Sequence, residues 1–114
     1  MRNKEKKTEV NLLELVPKRI LEWEYTDDGL VTLKIPKFRG KLGNFITSKM
    51  NSPNYKVQLD AVGSFVWNEC DGEKNVLEIS QKMKDEFGDE VEPLYERISF
   101  FIKTLTASKA IELL

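Results

Sequence analysis

The stretch from Tyr55 to Gly72, YKVQLDAVGSFVWNECDG, predicts a strand, a helix and a turn in immediate succession. Residues 55–59 alternate between apolar and polar side chains, which is typical of a β-strand. Asp60 is a suitable N-cap, because its carboxylate can accept hydrogen bonds from the unpaired amides at a helix start. We therefore expect a helix from Ala61 to about Glu69, ended by the turn at Asp71 and Gly72.

Upstream of this stretch, the same alternation predicts two strands joined by a tight hairpin. Residues 20–25 and 31–35 each alternate apolar with polar side chains. A three-residue loop, Asp27 to Gly29, pairs apolar residues with one another and puts Gly29 where a left-handed residue is needed. A two-residue loop would instead set Trp23 against Lys34. The expected pairs are Trp23 with Leu33, Tyr25 with Val31 and Glu22 with Lys34.

Two helices are predicted downstream. Asn75 and Glu78 form a capping pair for a helix over residues 76–87, which Gly88 ends. The last helix is expected from near Val91 to about Thr106. Its predicted buried stripe is Val91, Leu94, Tyr95, Ile98, Phe101, Ile102 and Leu105. A second face of the same helix carries Pro93, Arg97, Phe100 and Thr104. The apolar tail, residues 110–114, is expected to pack back on the domain.

Two segments have less regular patterns. Residues 10–16 form an apolar run that Pro17 should stop, and we expect a short docking element, either helical or extended. Residues 37–54 are basic and interrupted by glycines. This insertion is compatible with an irregular excursion, a short basic amphipathic helix or disorder.

Composition argues against catalysis. The chain has 114 residues, 40% of them hydrophobic, enough for one compact core. It has no histidine and one cysteine, and it lacks phosphate-binding, dinucleotide-binding and calcium-binding loop motifs. We therefore expect no enzyme activity, no cofactor and no metal site. No apolar run approaches the roughly 20 residues that span a bilayer, so we predict a cytoplasmic, soluble protein.

The polar residues near Cys70 have structural explanations. Asp60, Asp71 and Glu78 occupy expected cap and turn positions. Cys70 falls on the apolar side of its helix, where burial is expected and reactivity is not.

Charge is unevenly distributed along the chain. Residues 33–59 contain six basic residues and no acidic one, whereas residues 60–114 contain twelve acidic and six basic residues. If these segments lie on separate surfaces, the middle segment favours an anionic partner. Association with such a partner should then be sensitive to salt.

The order of these features resembles the PqqD family, named for the pyrroloquinoline quinone biosynthesis protein D. The residues that carry the resemblance are Tyr55 to Gly72, then NVLEISQKMKDEFGDEV and RISFFIKTLTASKAIEL. The shared features are an LD before the first helix, a W before a DG turn, a V-x-E-I helix and a terminal amphipathic helix. The resemblance implies an α+β fold, a small winged helix-turn-helix with a three-stranded antiparallel sheet followed by three helices. The expected division is an N-terminal extension, residues 1–19, and a PqqD-like winged-helix domain, residues 20–114, with an insertion at about 37–54.

The resemblance also implies a function. Members of the family act as RiPP recognition elements: they bind the leader segment of a ribosomally made precursor peptide and deliver it to a modifying enzyme, often a radical S-adenosylmethionine protein. In that family the leader adds as an extra strand to strand three and lies along the last helix. The corresponding peptide-binding residues here are Tyr55, Lys56, Val57, Gln58, Leu59, Arg97, Phe100 and Thr104.

Other readings remain open. The basic insertion could dock the protein, as a structural adaptor, on another protein or a membrane. DNA binding is disfavoured, because the candidate recognition helices are acidic while DNA phosphates need a basic face. The N-terminal extension could cover the edge strand of the same molecule, which would be autoinhibitory, or that of a neighbour, which would make a swapped homodimer.

Overall fold

The computed structural model describes residues 12–37 and 53–114. Strands β1 to β5 are Pro17–Arg19, Trp23–Tyr25, Val31–Pro36, Asn54–Gln58 and Ile111–Leu113. Helices α1 to α3 are Ala61–Glu69, Val76–Phe87 and Leu94–Ala107, and a 3-10 helix spans Gly88–Val91. Residues 12–14 are also helical. Strands β2, β3 and β4 form one antiparallel sheet in that order, and β1 pairs with β5 in another. The predicted α+β class and three-stranded antiparallel sheet are confirmed.

The hairpin between β2 and β3 has the predicted register. Trp23 pairs with Leu33 and Tyr25 pairs with Val31. The Lys34 amide donates to the Glu22 carbonyl at 3.0 Å, which extends the pairing as expected. Gly29 has a φ of +83°, the left-handed conformation that the three-residue loop requires.

Local capping fixes the first two helices at the predicted positions. The Asp60 carboxylate accepts from the Gly63 amide at 2.7 Å and begins α1. At the start of α2, Asn75 and Glu78 form the reciprocal capping box, and Gly88 ends the helix. These caps satisfy amides that a helix start otherwise leaves unpaired.

A buried serine joins α1 to the sheet. The Ser64 hydroxyl oxygen accepts from the Val31 amide at 2.8 Å, at the point where β3 begins. Next to this contact, Trp67 is fully buried and meets the ring of Trp23 edge-on, with centroids 5.7 Å apart. The helices therefore cover the face of the sheet that carries Trp23 and Leu33, which we call the inner face. The opposite side is the outer face.

The prediction for the start of the last helix was wrong. Val91 belongs to the 3-10 helix, and α3 begins at Leu94 with Pro93 as its N-cap. A proline disfavours the helical conformation of the residue before it, and Glu92 is extended, with a ψ of 144°, so the helix starts only after Pro93. Tyr95, which was expected in the buried stripe, is 51% exposed. With the helix beginning at Leu94, the buried residues of α3 are Ile98, Ile102 and Leu105.

The sheet formed by β1 and β5 was not predicted. Lys18 pairs with Glu112 in this sheet and forms a bridge to Asp71 on its other side. The pairing explains how the C-terminal tail packs back, and Ile111 is buried there. Of the predicted docking element at residues 10–16, the part that the structure describes begins at Leu12, which is buried in the core.

The prediction for the basic insertion, residues 37–54, falls largely on residues outside the described ones. The structure describes only the two ends of this segment. The Lys37 amide donates to the Pro53 carbonyl at 3.0 Å, next to the pair formed by Pro36 and Asn54. Both ends of the insertion are therefore held at one end of the β3–β4 ladder.

Candidate functional site

Strand β4 is an edge of its sheet within residues 12–37 and 53–114, since β3 is its only partner there. Leu59 donates to the Val31 carbonyl at 2.8 Å, and Lys37 donates to the Pro53 carbonyl at 3.0 Å. Hydrogen-bonded pairs alternate with non-bonded pairs along an antiparallel ladder. Val57, which pairs with Leu33, therefore directs its amide and carbonyl toward β3.

The same alternation identifies the free backbone groups of β4. Lys56 and Gln58 are one residue out of phase with Val57, so their amides and carbonyls point away from β3. Such an edge is a template for an added strand. The edge strand that the sequence predicted at residues 55–59 is thus present at Asn54–Gln58, and its free donors and acceptors include those of Lys56 and Gln58 at its centre and end.

The apolar side chains of β4 are more exposed than the alternation implied. Tyr55 is 58% exposed and Val57 is 42% exposed, although both lie on the inner face of the sheet. Their cross-strand neighbours are more protected: Leu33 is 2% exposed and Ile35 is half-buried. The helices therefore cover the inner face over β3 and leave an apolar strip along β4. This strip can be buried only if a further segment, from this chain or from a ligand, packs on it.

The outer face of the sheet carries a small ion-pair network. Glu24 lies 3.2 Å from the Lys56 ammonium and 3.8 Å from that of Lys34. The hydrogen bond from Lys56, supported by the charge of Lys34, holds the pKa of the Glu24 carboxyl below its usual value. Lys34 and Lys56 are directly paired across β3 and β4, and the shared carboxylate reduces their mutual repulsion.

A pocket of about 330 Å³ lies between the start of α1, α2 and the first half of α3. Its apolar wall includes Val66, Met83, Ile98 and Phe101. The size and lining are those of a site that binds a side chain or a small apolar group. At the rim, Phe100 is 74% exposed, the most exposed large apolar side chain among the described residues.

Arg97 also lines this pocket and is held in place by the backbone. Its Nη1 donates to the Glu90 carbonyl at 2.6 Å, which ties α3 to the 3-10 helix. The carboxylates of Asp60 and Glu96 lie on the same rim. The pocket is therefore apolar at its wall and charged at its mouth, so it can bury an apolar group while polar neighbours contact the rim.

The end of β4 meets α3 at a glycine. A Cβ built on Gly63 would lie 3.3 Å from the Leu59 Cβ and 3.4 Å from Phe101 Cε1. This close approach connects the predicted strand residues with the pocket at Arg97 and Phe100. Thr104 lies one turn further along α3, outside the pocket lining, and its hydroxyl donates to the Phe100 carbonyl at 2.7 Å.

The pocket wall was not recognised from the sequence, because its residues have the pattern of ordinary helix cores. Gly63 was the available signal. A glycine in the interior of a short helix lowers helix stability, and a common reason for its presence is close approach of another element.

The predicted burial of Cys70 is confirmed. The thiol is buried and donates to the Val66 carbonyl with a separation of 3.2 Å. Burial raises the pKa of the Cys70 thiol to about 12, so the nucleophilic thiolate is scarce at neutral pH. Within the described part of the chain, no cluster of acidic, histidine or cysteine side chains is suited to hold a metal ion. The helices of residues 12–37 and 53–114 include none with the length and hydropathy that a transmembrane helix needs.

In this small α+β domain, an exposed strand edge therefore lies beside a pocket with an aromatic rim. The model of one family, described as Coenzyme PQQ synthesis protein D (PqqD), matches residues 50–111, which is more than half of the chain. The chain therefore belongs to the PqqD family, and the matched range includes β4 and all of α1, α2 and α3. Neither the curated proteins nor the solved structures contain a significant match.

Proposed function

We propose that this protein is a non-catalytic peptide-binding module that captures the leader segment of a ribosomally made precursor peptide. Capture occurs by strand addition at β4, and the module presents the peptide to a modifying enzyme such as a radical S-adenosylmethionine protein. The observation that carries the proposal is the free edge of β4 beside the pocket at Arg97 and Phe100. Membership of the PqqD family supports the same function, and it supports the proposal that the domain has a winged-helix fold.

The free edge supports binding that tolerates sequence variation. Lys56 and Gln58 offer two amides and two carbonyls, and each hydrogen bond contributes about 0.5–1.5 kcal/mol net. Four such bonds give on the order of 2–6 kcal/mol, while loss of translational and conformational freedom costs at least as much. Backbone pairing alone is therefore too weak, and side-chain contacts must supply the remaining affinity.

The exposed apolar groups can supply those contacts. Tyr55 and Val57 would be covered by alternate side chains of the added strand. Phe100 and Arg97 would contact a segment of the peptide that reaches the pocket, and aromatic and arginine side chains are common anchors at interfaces. The proposed site thus combines a backbone template with a separate side-chain pocket.

Affinity capture from the source cell tests this function. The full chain is the bait, and short peptides retained by it are identified by mass spectrometry and then titrated. Phe100→Ala is the test variant, and Tyr95→Ala is its matched control, because Tyr95 is also an exposed aromatic residue of α3 but lies outside the pocket lining.

We expect Phe100→Ala to weaken binding by about 5- to 150-fold, equivalent to 1–3 kcal/mol for an interface anchor. Tyr95→Ala should bind like the parent, and both variants should melt near the parent temperature. Equal binding by all three chains would remove the pocket from the proposed site.

The adaptor function predicts a different result. Lys37 and Pro53, the residues that flank segment 38–52, are joined at the end of the β3–β4 ladder, beside the proposed site. A docking function of this segment would be seen as salt-sensitive partitioning onto anionic lipid vesicles that Phe100→Ala does not change.

A further inference from the structure

The two faces of β4 differ chemically, and an added strand would extend both. Side chains directly opposite each other on paired strands project to the same face. A peptide residue opposite Lys56 would therefore lie on the outer face. Its two neighbours in the peptide would lie on the inner face, opposite Tyr55 and Val57.

On the outer face, Lys56 is the charged group nearest to the free edge among residues 12–37 and 53–114. Its side chain is 65% exposed, and the other outer-face residues of β4, Asn54 and Gln58, are neutral. Directly paired side chains have Cβ atoms about 4.5–5.5 Å apart. Glu22 and Glu24 belong to β2 or directly precede it, on the far side of β3, so their backbone would lie roughly 14 Å from that of an added strand. The Glu24 carboxylate nevertheless reaches across to the Lys56 ammonium.

On the inner face, the same strand presents only apolar side chains to a ligand. Tyr55 and Val57 are both exposed there, and half-buried Leu59 continues the strip toward Gly63 and the pocket. At the end of this face away from the pocket, the Lys37 ammonium lies 5.3 Å from the Tyr55 ring centroid. An apolar peptide residue packed beside Tyr55 and Val57 would cover these exposed side chains and extend the hydrophobic core.

We propose that the captured segment is an amphipathic strand with an acidic residue opposite Lys56 and apolar residues on either side of it. This inference rests on the proposed function and adds a specificity determinant. The charge of Lys56 would select the peptide residue that pairs with it, which we call the central residue. Like charge placed directly opposite is unfavourable, so a lysine or arginine at that peptide position is rejected.

In this arrangement, Glu24 competes with the acidic residue of the peptide for the Lys56 ammonium. Its Oε1 already holds the Lys56 ammonium at 3.2 Å, and a ligand carboxylate would share or replace that contact. Removal of the charge in Glu24→Gln frees Lys56. We expect that variant to bind the acidic peptide about two- to fivefold more tightly at low salt, the range of an exposed ion pair.

Selection from a random library of 12-residue peptides tests the inference without knowledge of the natural ligand. The full chain, Lys56→Glu and Lys82→Glu are used as separate targets at low salt. Lys82 is the matched control, because it is an exposed lysine of α2, away from the sheet. Amide hydrogen exchange at Lys56 and Gln58 shows which selected peptides add to β4.

For the parent and Lys82→Glu, we expect β4-protecting peptides with an acidic residue between two apolar ones. For Lys56→Glu, the central residue should become lysine or arginine. In a parent-selected peptide, change of the central acid to its amide should weaken binding about two- to fivefold, and this difference should shrink strongly near 1 M salt.

Two failures are distinguishable. If selected peptides protect β4 but the central residue shows no charge preference and no change with Lys56→Glu, the specificity inference is wrong and strand addition stands. If no selected peptide protects the β4 amides, strand addition at this edge is wrong, and the inference fails with it.

Discussion

Replacement of Gln58 by proline tests strand addition with little disturbance of the sheet. The Gln58 amide points to the free edge of β4, so its loss removes a donor for the peptide but no hydrogen bond of the β3–β4 ladder. Proline is tolerated in an edge strand when its missing amide faces outward. Loss of one amide-carbonyl bond corresponds to about 0.5–1.5 kcal/mol. We therefore expect peptide binding to weaken by at least about two- to tenfold.

Val57→Pro is the informative counterpart, because the Val57 amide faces β3. This substitution deletes a ladder hydrogen bond and should lower the free energy of unfolding by at least about 1–3 kcal/mol. Gln58→Pro should stay within about 1 kcal/mol of the parent. Isothermal titration with a captured peptide and urea denaturation measure the two effects. A folded Gln58→Pro chain that binds the peptide as tightly as the parent would refute strand addition at this edge.

Three further predictions concern the fold. Asn75→Ala removes one half of the capping box with Glu78 and should destabilise the domain by about 1 kcal/mol in urea denaturation, while an unchanged midpoint would contradict a stabilising cap. Gly29→Ala should cost about 1 kcal/mol in the same assay; an added Cβ would have no neighbour within 4 Å, so the positive φ alone sets the cost. Folding raises the pKa of Cys70 from about 9 to about 12, so unfolded chains lose this proton first as pH rises. The contribution of the thiol to the free energy of unfolding should be full below pH 9. Between pH 9 and pH 10, the free energy of unfolding of the parent should fall by about 1 kcal/mol more than that of Cys70→Ala. Parallel pH curves for the two chains would show that the thiol is not buried.

The parts of the fold that were predicted correctly have strong local signals. Alternation together with loop length specified the register of the β2–β3 hairpin, because the competing two-residue loop would set Trp23 against Lys34. The caps at Asp60 and Asn75 gave the starts of α1 and α2, since only a few side chains accept hydrogen bonds from a helix start. Such signals involve residues that are close along the chain.

The missed parts depend on distant residues. Strands β1 and β5 have three residues each, too few to show a period of two, and they pair across almost the whole chain. The sequence also placed Tyr55 and Val57 on one face of β4 without showing how far the helices extend over that face. The direction of the Lys56 and Gln58 amides likewise depends on the hydrogen-bond phase with β3, which the sequence does not specify.

Hydrogen exchange of the Lys56 and Gln58 amides, measured with and without a captured peptide, tests peptide capture by strand addition most directly. Both amides point away from β3 in the free protein, and the described residues include no partner for them across the free edge. If the peptide adds to β4, its binding slows exchange at these two amides while exchange at Lys82 on α2 is unchanged. If the peptide binds and both β4 amides exchange as fast as before, the peptide does not add to β4. Protection of residues 38–52 instead would favour docking through the basic insertion.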